Sequence, residues 1–317
     1  MDCPSVTVFA PDPLLSVTIE RRGSEDDVHV HAAGQGVWLS RMAAEMGAHP
    51  LLCCFLGGET GEMIRPMLGA QPGELRAVRT AGPSGCYIVD RRSGERRLVA
   101  ASHRPAPHRH EVDDLIAATC AAALSSSVLA VCNPFPAEDL PGDVYETLVA
   151  NARAAGIPVV VDLSSPRLEH ALKACPDLVK LNDWELAEFV CGPVDGPRAL
   201  TAARALRDAG AGAVAVTRGR ASILVLAGSE EPYEIVPPNF TRGFREGCGD
   251  TMMGATAAGL ARGLPLRDAL VLGAAAGAGN FLRHGLGTGT AATVRELARH
   301  VAVLPASFAT DSPETAV

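Results

Sequence analysis

The residues with the most chemical promise in this chain form one short run. Gly247-Cys248-Gly249-Asp250-Thr251 stands immediately before Met252–Arg262, a stretch with the composition and length of a helix. Glycines let a backbone approach a ligand closely and adopt dihedrals closed to other residues. The free N–H groups of a helix N-terminus carry partial positive charge and hold anions, phosphate among them. A carboxylate at that point can take the proton of a hydroxyl nucleophile. The chemistry such a run suits is phosphoryl transfer to an alcohol, with amides steadying the moving charge. The run has a plainer reading too, because Asp is a common N-cap and glycines commonly precede helices. The residues alone leave both open.

Composition narrows the alternatives. Of 28 basic residues only Lys173 and Lys180 are lysines, and neither closes a P-loop pattern. The strand lysine and H-R-D run of a protein kinase are also missing. Gly34-Gln35-Gly36 lacks the third glycine of a dinucleotide fingerprint. Any bound phosphate is therefore best placed at 247–250. The formal net charge of −8 argues against a general nucleic-acid or membrane-surface binder. Nine cysteines without a C-x-x-C argue against a metal or disulfide framework and predict a reducing, cytoplasmic setting. Apolar runs are short or broken, which predicts neither a signal peptide nor a membrane span.

The elements that must position this run follow from hydrophobic period. Ser5–Ala10 and Leu51–Leu56 read as strands, and Trp38–Met46 as a helix ended by Gly47. Leu14–Glu20 and Val28–Ala32 alternate, as do Gly85–Asp90 and Arg96–Ala101 around a hairpin signal at Arg92-Ser93-Gly94. From Val112 the rhythm changes to helix 113–125, strand 128–132, helix 141–155, strand 157–162, helix 166–174, strand 177–180, helix 199–209 and strand 213–217. Such alternation builds a parallel sheet covered by helices. Long helices follow near 250–262, 266–283 and 292–299. The early alternating strands then form either a separate small sheet or one edge of the main sheet.

Taken in order, these segments resemble the PfkB carbohydrate kinases of the ribokinase-like fold. Gly247-Cys248-Gly249-Asp250 resembles the G-A-G-D signature, and Lys180-Leu181-Asn182-Asp183-Trp184-Glu185-Leu186 resembles K-P-N-x-x-E-L. Val216-Thr217-Arg218-Gly219 is similar to the [ST]-x-G segment beside the nucleotide. Ala33-Gly34-Gln35-Gly36-Val37-Trp38-Leu39-Ser40 is similar to G-G-K-G-x-N-x-A, and Gly57-Gly58-Glu59-Thr60-Gly61 to G-x-D-x-x-G. Pro11–Thr18 resembles the N-P-A-L-D-x-T opening of the phosphofructokinase and tagatose-phosphate kinase branch.

The resemblance implies a doubly wound, mostly parallel α/β domain over 1–13, 33–83 and 103–305. It implies a small β-sheet lid over 14–32 and 84–102, with a disordered tail at 306–317. It implies ATP-dependent phosphorylation of a hydroxyl on a sugar or sugar phosphate, with ATP and Mg²⁺ as cofactors and a homodimer through the lid. Asp250 would be the base, and the amides of Gly247, Cys248 and Gly249 would steady the phosphoryl group. Asn182 and Glu185 would hold Mg²⁺ through water. Thr217, Gly219 and Asn280 would lie near the nucleotide, as would the loop 285–289. Asp12, Ser16, Gly34, Gln35, Gly36, Trp38 and Arg104 would face the acceptor.

Departures from the pattern cluster on the acceptor side. The branch's sugar-binding Asp is Ser16 here, the signature Lys is Gln35, and the signature Asn is Trp38. A carboxylate and a lysine are strong partners of hydroxyl and phosphate, so their loss predicts a changed acceptor. Trp38 either stacks on a sugar face or base, or packs inward. Asp12 is placed to replace the lost carboxylate. Arg91-Arg92 and Arg96-Arg97 read as solvated charge, and His29-Val30-His31 as a lid face or a metal pair. A nucleoside kinase and a non-catalytic sensor on a kinase scaffold are the alternatives.

Overall fold

A computed structural model describes residues 3–134 and 140–306. Strand β1 (Ser5–Phe9) opens the main sheet, and β2 (Leu14–Arg22) and β3 (Glu25–Ala33) leave it as a hairpin. Helix α1 (Gln35–Glu45) returns the chain to β4 (His49–Gly57), and α2 (Gly58–Gly69) leads to the edge strand β5 (Glu74–Thr80). A second excursion, β6 (Cys86–Asp90) and β7 (Arg97–Ser102), rejoins the hairpin. Then α3 (Arg109–Ala123), β8 (Val128–Cys132), α4 (Asp143–Ala154), β9 (Val159–Asp162), α5 (Arg167–Lys173) and β10 (Leu178–Asn182) alternate. They are followed by α6 (Asp183–Phe189), α7 (Gly196–Asp208), β11 (Ala213–Thr217), β12 (Ile223–Ala227) and β13 (Tyr233–Val236). The last described elements are α8 (Cys248–Ala261), α9 (Leu266–Phe281), α10 (Ala291–Ala298) and β14 (Ala302–Pro305).

Ten strands form one sheet in the order β14-β13-β12-β11-β10-β9-β8-β1-β4-β5, parallel from β11 to β5 and antiparallel beyond β11. Alternate strand residues feed opposite faces, as the two-residue strand period requires. Val128, Ala130 and Cys132 of β8 join the core under α1, α8 and α9. Leu129 and Val131 join the core under α3, α4 and α7. The excursions form a separate four-stranded sheet, β3-β2-β6-β7, so the early alternating strands are not an edge of the main sheet. The expected tail lies, from residue 307, outside the described residues. No helix among the described residues is long and apolar enough to cross a membrane.

Helices α8 and α9 run close together because glycines remove the side chains between them. A Cβ on Gly273 would stand 2.2 Å from Thr256 Oγ1, and one on Gly277 would stand 3.0 Å from Cys248 O. The small-residue spacing in α9 is thus a packing seam against the helix that carries Asp250. Another seam joins α8 to α1, where a Cβ on Gly254 would stand 2.4 Å from Leu39 O. In an open helix Gly→Ala stabilises by about 0.5–1 kcal/mol. Here the added methyl meets backbone, so Gly254→Ala is expected to reverse that sign and cost about 1–3 kcal/mol in chemical denaturation.

Candidate active site

The residues expected to act together converge at the C-terminal ends of the parallel strands, where open α/β sheets place their ligands. Asp162 ends β9, Asn182 ends β10 and Thr217 ends β11, the last two being paired in register. The N-terminus of α8 faces them, capped by Gly247 in the left-handed region at φ 71°. Lys180 lies beneath that turn: a Cβ on Gly249 would stand 2.6 Å from its Nζ. A glycine is required there because the ammonium occupies the space a side chain would need.

Lys180 pairs with Asp162 at 2.6 Å, both side chains being buried. Burial works against the ammonium's charge, but Asp162, Glu185 and Asp250 outweigh it and hold its pKa above the usual lysine value. Three carboxylates therefore share one ammonium, and Asp162 holds it by direct contact. The other two gain less. Burial, then the charge of Asp162, pushes half-buried Asp250 up to about 7, against the opposing pull of Lys180 and a hydrogen bond from Gln35. The same causes push Glu185 up to about 6. A carboxyl near neutrality is suited to taking a hydroxyl proton at physiological pH. Cys248, by contrast, is pushed up to about 11 by burial, so its thiol stays protonated and only its amide serves the turn.

Asn182 and Glu185 close a capping box on α6: Glu185 N–H donates to Asn182 Oδ1 at 2.9 Å, and Asn182 N–H to Glu185 Oε2 at 2.7 Å. The N-x-x-E spacing thus has a structural use as well as a place at the site. Next to it opens a cavity of about 400 Å³, lined by Asn182, Thr217, Gly219, Cys248, Gly249 and Phe281, among others. It brings together the amide turn and the segments expected beside a nucleotide.

Asn280 does not line that cavity. It is fully buried, donating to Glu246 O at 2.9 Å and accepting from Gly287 N–H at 2.9 Å. A buried amide keeps such partners, so Asn280 braces the turn before Gly247 rather than facing a nucleotide. The loop 285–289 also lies elsewhere, since Gly285 and Leu286 line a second cavity beneath the lid.

Residues 16–293 match the pfkB family carbohydrate kinases. The chain belongs to that family. It is 32% identical over 252 residues to a 1-phosphofructokinase of Rhodobacter capsulatus, spanning 75% of this chain and 76% of that enzyme. Its fold matches phosphofructokinase-2 from Escherichia coli in complex with potassium, with a TM-score of 0.81 and 23% identity, over 94% of this chain and 99% of that one. It also matches Arabidopsis thaliana ribokinase complexed with ribose and ATP, with a TM-score of 0.71 and 17% identity, over 94% and 99% of the two chains.

The acceptor side of this carbohydrate kinase is more filled than its motifs suggest. Trp38 packs inward, 8% exposed, against Leu14, Ala33, Tyr87, Val89 and Leu286. Its ring joins lid to body instead of lining an open site. Asp12 and Arg104 form a buried ion pair at 2.5 Å. A small recess beside them is lined by Asp12, Gly34, Gln35, Gly36 and Asn133. Gly36 is needed for close approach, since a Cβ there would stand 2.1 Å from that of Ala10 on the first strand's exit. Gln35 accepts from Asn133 N–H at 2.7 Å, which turns its NH₂ toward Asp250. The residue in the signature-lysine position therefore orients the Asp250 carboxyl.

Ser16 is buried 3.5 Å from Thr18 Oγ1 and lines the lid cavity of about 530 Å³ with His29, His31, Arg41 and Arg91. Among the described residues no three metal-ligating side chains cluster, there or elsewhere. Burial, aided by the charge of Arg41, lowers His31 to about 4 and keeps it neutral. Arg91 is not solvated charge. It is buried, bonded to Glu246 and 3.6 Å from Glu20.

Sequence reasoning assigned no role to Asp162, Asn133 or Glu246. Asp162 had a readable signal, a carboxylate closing an otherwise apolar strand. The other two carry none.

The Gln35 hydrogen bond favours the ionised form of Asp250. Gln35→Leu is therefore expected to raise the carboxyl's midpoint by about 0.5–1 pH unit from its position near 7, read by ¹³C NMR titration. The same shift has a stability consequence. Between the ordinary value of 3.8 and about 7 the folded state binds more protons at Asp250 than the unfolded chain. This group's contribution thus falls as pH rises through that window. Asp250→Asn is expected to melt above the parent at pH 8 and to lose that advantage below about pH 4, in calorimetric scans.

Proposed function

We propose that this carbohydrate kinase transfers the terminal phosphoryl group of ATP to a hydroxyl of a sugar phosphate. The observation carrying this reading is Asp250, a carboxyl pushed up to about 7, on the glycine turn whose Cys248 and Gly249 line a nucleotide-sized cavity. ATP would lie along the cavity past Thr217 and Gly219, its terminal phosphate on the amides of Gly247, Cys248 and Gly249. Asp250 Oδ would accept the acceptor's hydroxyl proton as the new O–P bond forms. The transition state needs positioning and charge stabilisation above all, and fixed amides supply both.

The surplus of carboxylate over ammonium at this rim fits a divalent cation. Glu185 and Asn182 would hold Mg²⁺ through water, with the phosphates as its main ligands. When bound, the ion would offset phosphate charge. The acceptor would enter by the recess at Asp12 and Gly34–Gly36, with the Asp12–Arg104 pair fixing its far wall. A homodimer through the lid is favoured by the apolar residues left on its edge strands: Val28 is 57%, Val30 48%, Leu98 46% and Val99 53% exposed.

An ATP-consumption screen over sugars, sugar phosphates and nucleosides is expected to find turnover among the sugar phosphates. Turnover confined to nucleosides, or ATP binding without turnover on any class, would sink the reading. With the acceptor so found, Asp250→Asn is expected to lower kcat by about 10²–10⁴-fold and leave ATP affinity within about threefold. Light scattering is expected to give a dimer for the parent and a monomer for Val30→Glu.

A further inference from the structure

Four cationic side chains line the nucleotide cavity: Lys180, Arg218, Arg220 and Arg245. Three of them have their charge or donors engaged. Lys180 is bound to Asp162, and Arg218 donates to Glu234 at 2.7 Å. Arg220 lies 5.8 Å over the Phe281 ring and donates to Thr241 O at 3.0 Å. Arg245 differs. Its side chain is exposed and makes no ion pair or side-chain hydrogen bond among the described residues.

Its backbone is part of the amide turn. Arg245 O accepts from Cys248 N–H at 3.3 Å, so Arg245 stands at the start of the loop that ends on Gly249. The guanidinium therefore shares a cavity wall with the N–H groups of α8. In a chain with 36 acidic and 28 basic residues, a guanidinium lacking a carboxylate at a cavity mouth is a local electrostatic excess. Lys180, which also lines the cavity, sits in the reverse excess, three carboxylates around one ammonium. An anion entering this cavity is therefore drawn to Arg245 rather than to the already paired Lys180.

We propose that Arg245 binds the terminal phosphate of the nucleotide, beside the amides at the start of α8. This rests on the nucleotide reading given above. Arg presents a planar fork of donors that matches phosphate oxygens, and its charge does not titrate in the working range. As the phosphoryl group moves to the acceptor, charge on its equatorial oxygens persists throughout, so one guanidinium can hold it from start to finish. Lys180 cannot do this while Asp162 holds its ammonium.

The test compares nucleotides that differ in the terminal phosphate. Mg·AMP-PNP and Mg·ADP are titrated calorimetrically into the full chain and into Arg245→Ala, Arg245→Lys and Arg242→Ala. Arg242 is an exposed neighbour that does not line the cavity. Arg245→Ala is expected to weaken AMP-PNP binding by about tenfold or more and ADP binding by less than about threefold. Arg245→Lys is expected to recover part of the loss, and Arg242→Ala to change neither. Equal weakening of both nucleotides, or none, overturns the assignment while leaving the kinase reading intact. Failure of the parent chain to bind either nucleotide overturns both. Unchanged melting temperatures would show that the loss is not unfolding.

Discussion

One ammonium has to serve three carboxylates at the C-terminal rim of the sheet. Lys180 spends itself on Asp162 at 2.6 Å, out of water. A buried pair of this kind adds little net stability, yet removing one partner costs about 3–5 kcal/mol because the other is left charged and unpaired. The pair is therefore fixed, and its fixity sets the protonation of everything near it. Asp250 and Glu185 are left with burial and like charge, both of which oppose ionisation. A carboxyl with a midpoint near neutrality follows from that shortage of positive charge and does not require a dedicated partner.

The shortage has geometric conditions. The Asp250 turn must stand over Lys180, which Gly249 permits by having no side chain. Helix α8 must hold that turn without sliding, and two glycine seams lock it, against α9 and against α1. The seam with α1 also aligns Gln35 with Asp250, since Gln35 is the first residue of α1. Helix packing and the pKa of Asp250 are thus one problem: a shift of α1 along α8 would remove the hydrogen bond that opposes its protonation.

The parts of this arrangement carried by local patterns were legible in the sequence. Strand–helix alternation from Val112 onward announced the parallel sheet; the two early alternating pairs left a second sheet or a sheet edge open, and the family resemblance pointed to the former. Element ends moved by a few residues, as with α3, expected from 113 and found from Arg109, where Glu111 accepts from His108 N–H and extends the helix start. The antiparallel additions β12, β13 and β14 were not read, because short edge strands lack a distinctive period. The glycine turn at the start of α8 was legible because glycine, carboxylate and helix start are contiguous. The surroundings of Asn280, Gln35 and Trp38 were not legible, for a common reason. Each belongs to a motif or helix face whose role depends on a residue far away in sequence, Glu246, Asn133 and Leu286 respectively. Composition and period report on neighbours along the chain and say little of partners across it.

Glu246 shows how far such long-range partners reach. It precedes Gly247 directly, yet its carboxylate is gripped from the lid, by Arg91 and by Arg96 at 2.8 Å. On the other side its carbonyl accepts from Asn280 in the body. Arg91 also lies over the Phe244 ring at 5.2 Å, and Glu20 of the lid meets His284 of the body at 3.1 Å. The lid therefore holds the segment that becomes the amide turn, and the Arg91–Glu246 pair that does so is largely shielded from water. Lid position and turn position cannot vary independently while those pairs persist. Lid opening would have to break contacts one residue away from the left-handed glycine that aims the α8 amides. The charge pairs that join the small sheet to the body are thus the ones that hold the turn in shape, which ties the position of the α8 amides to that of the small sheet.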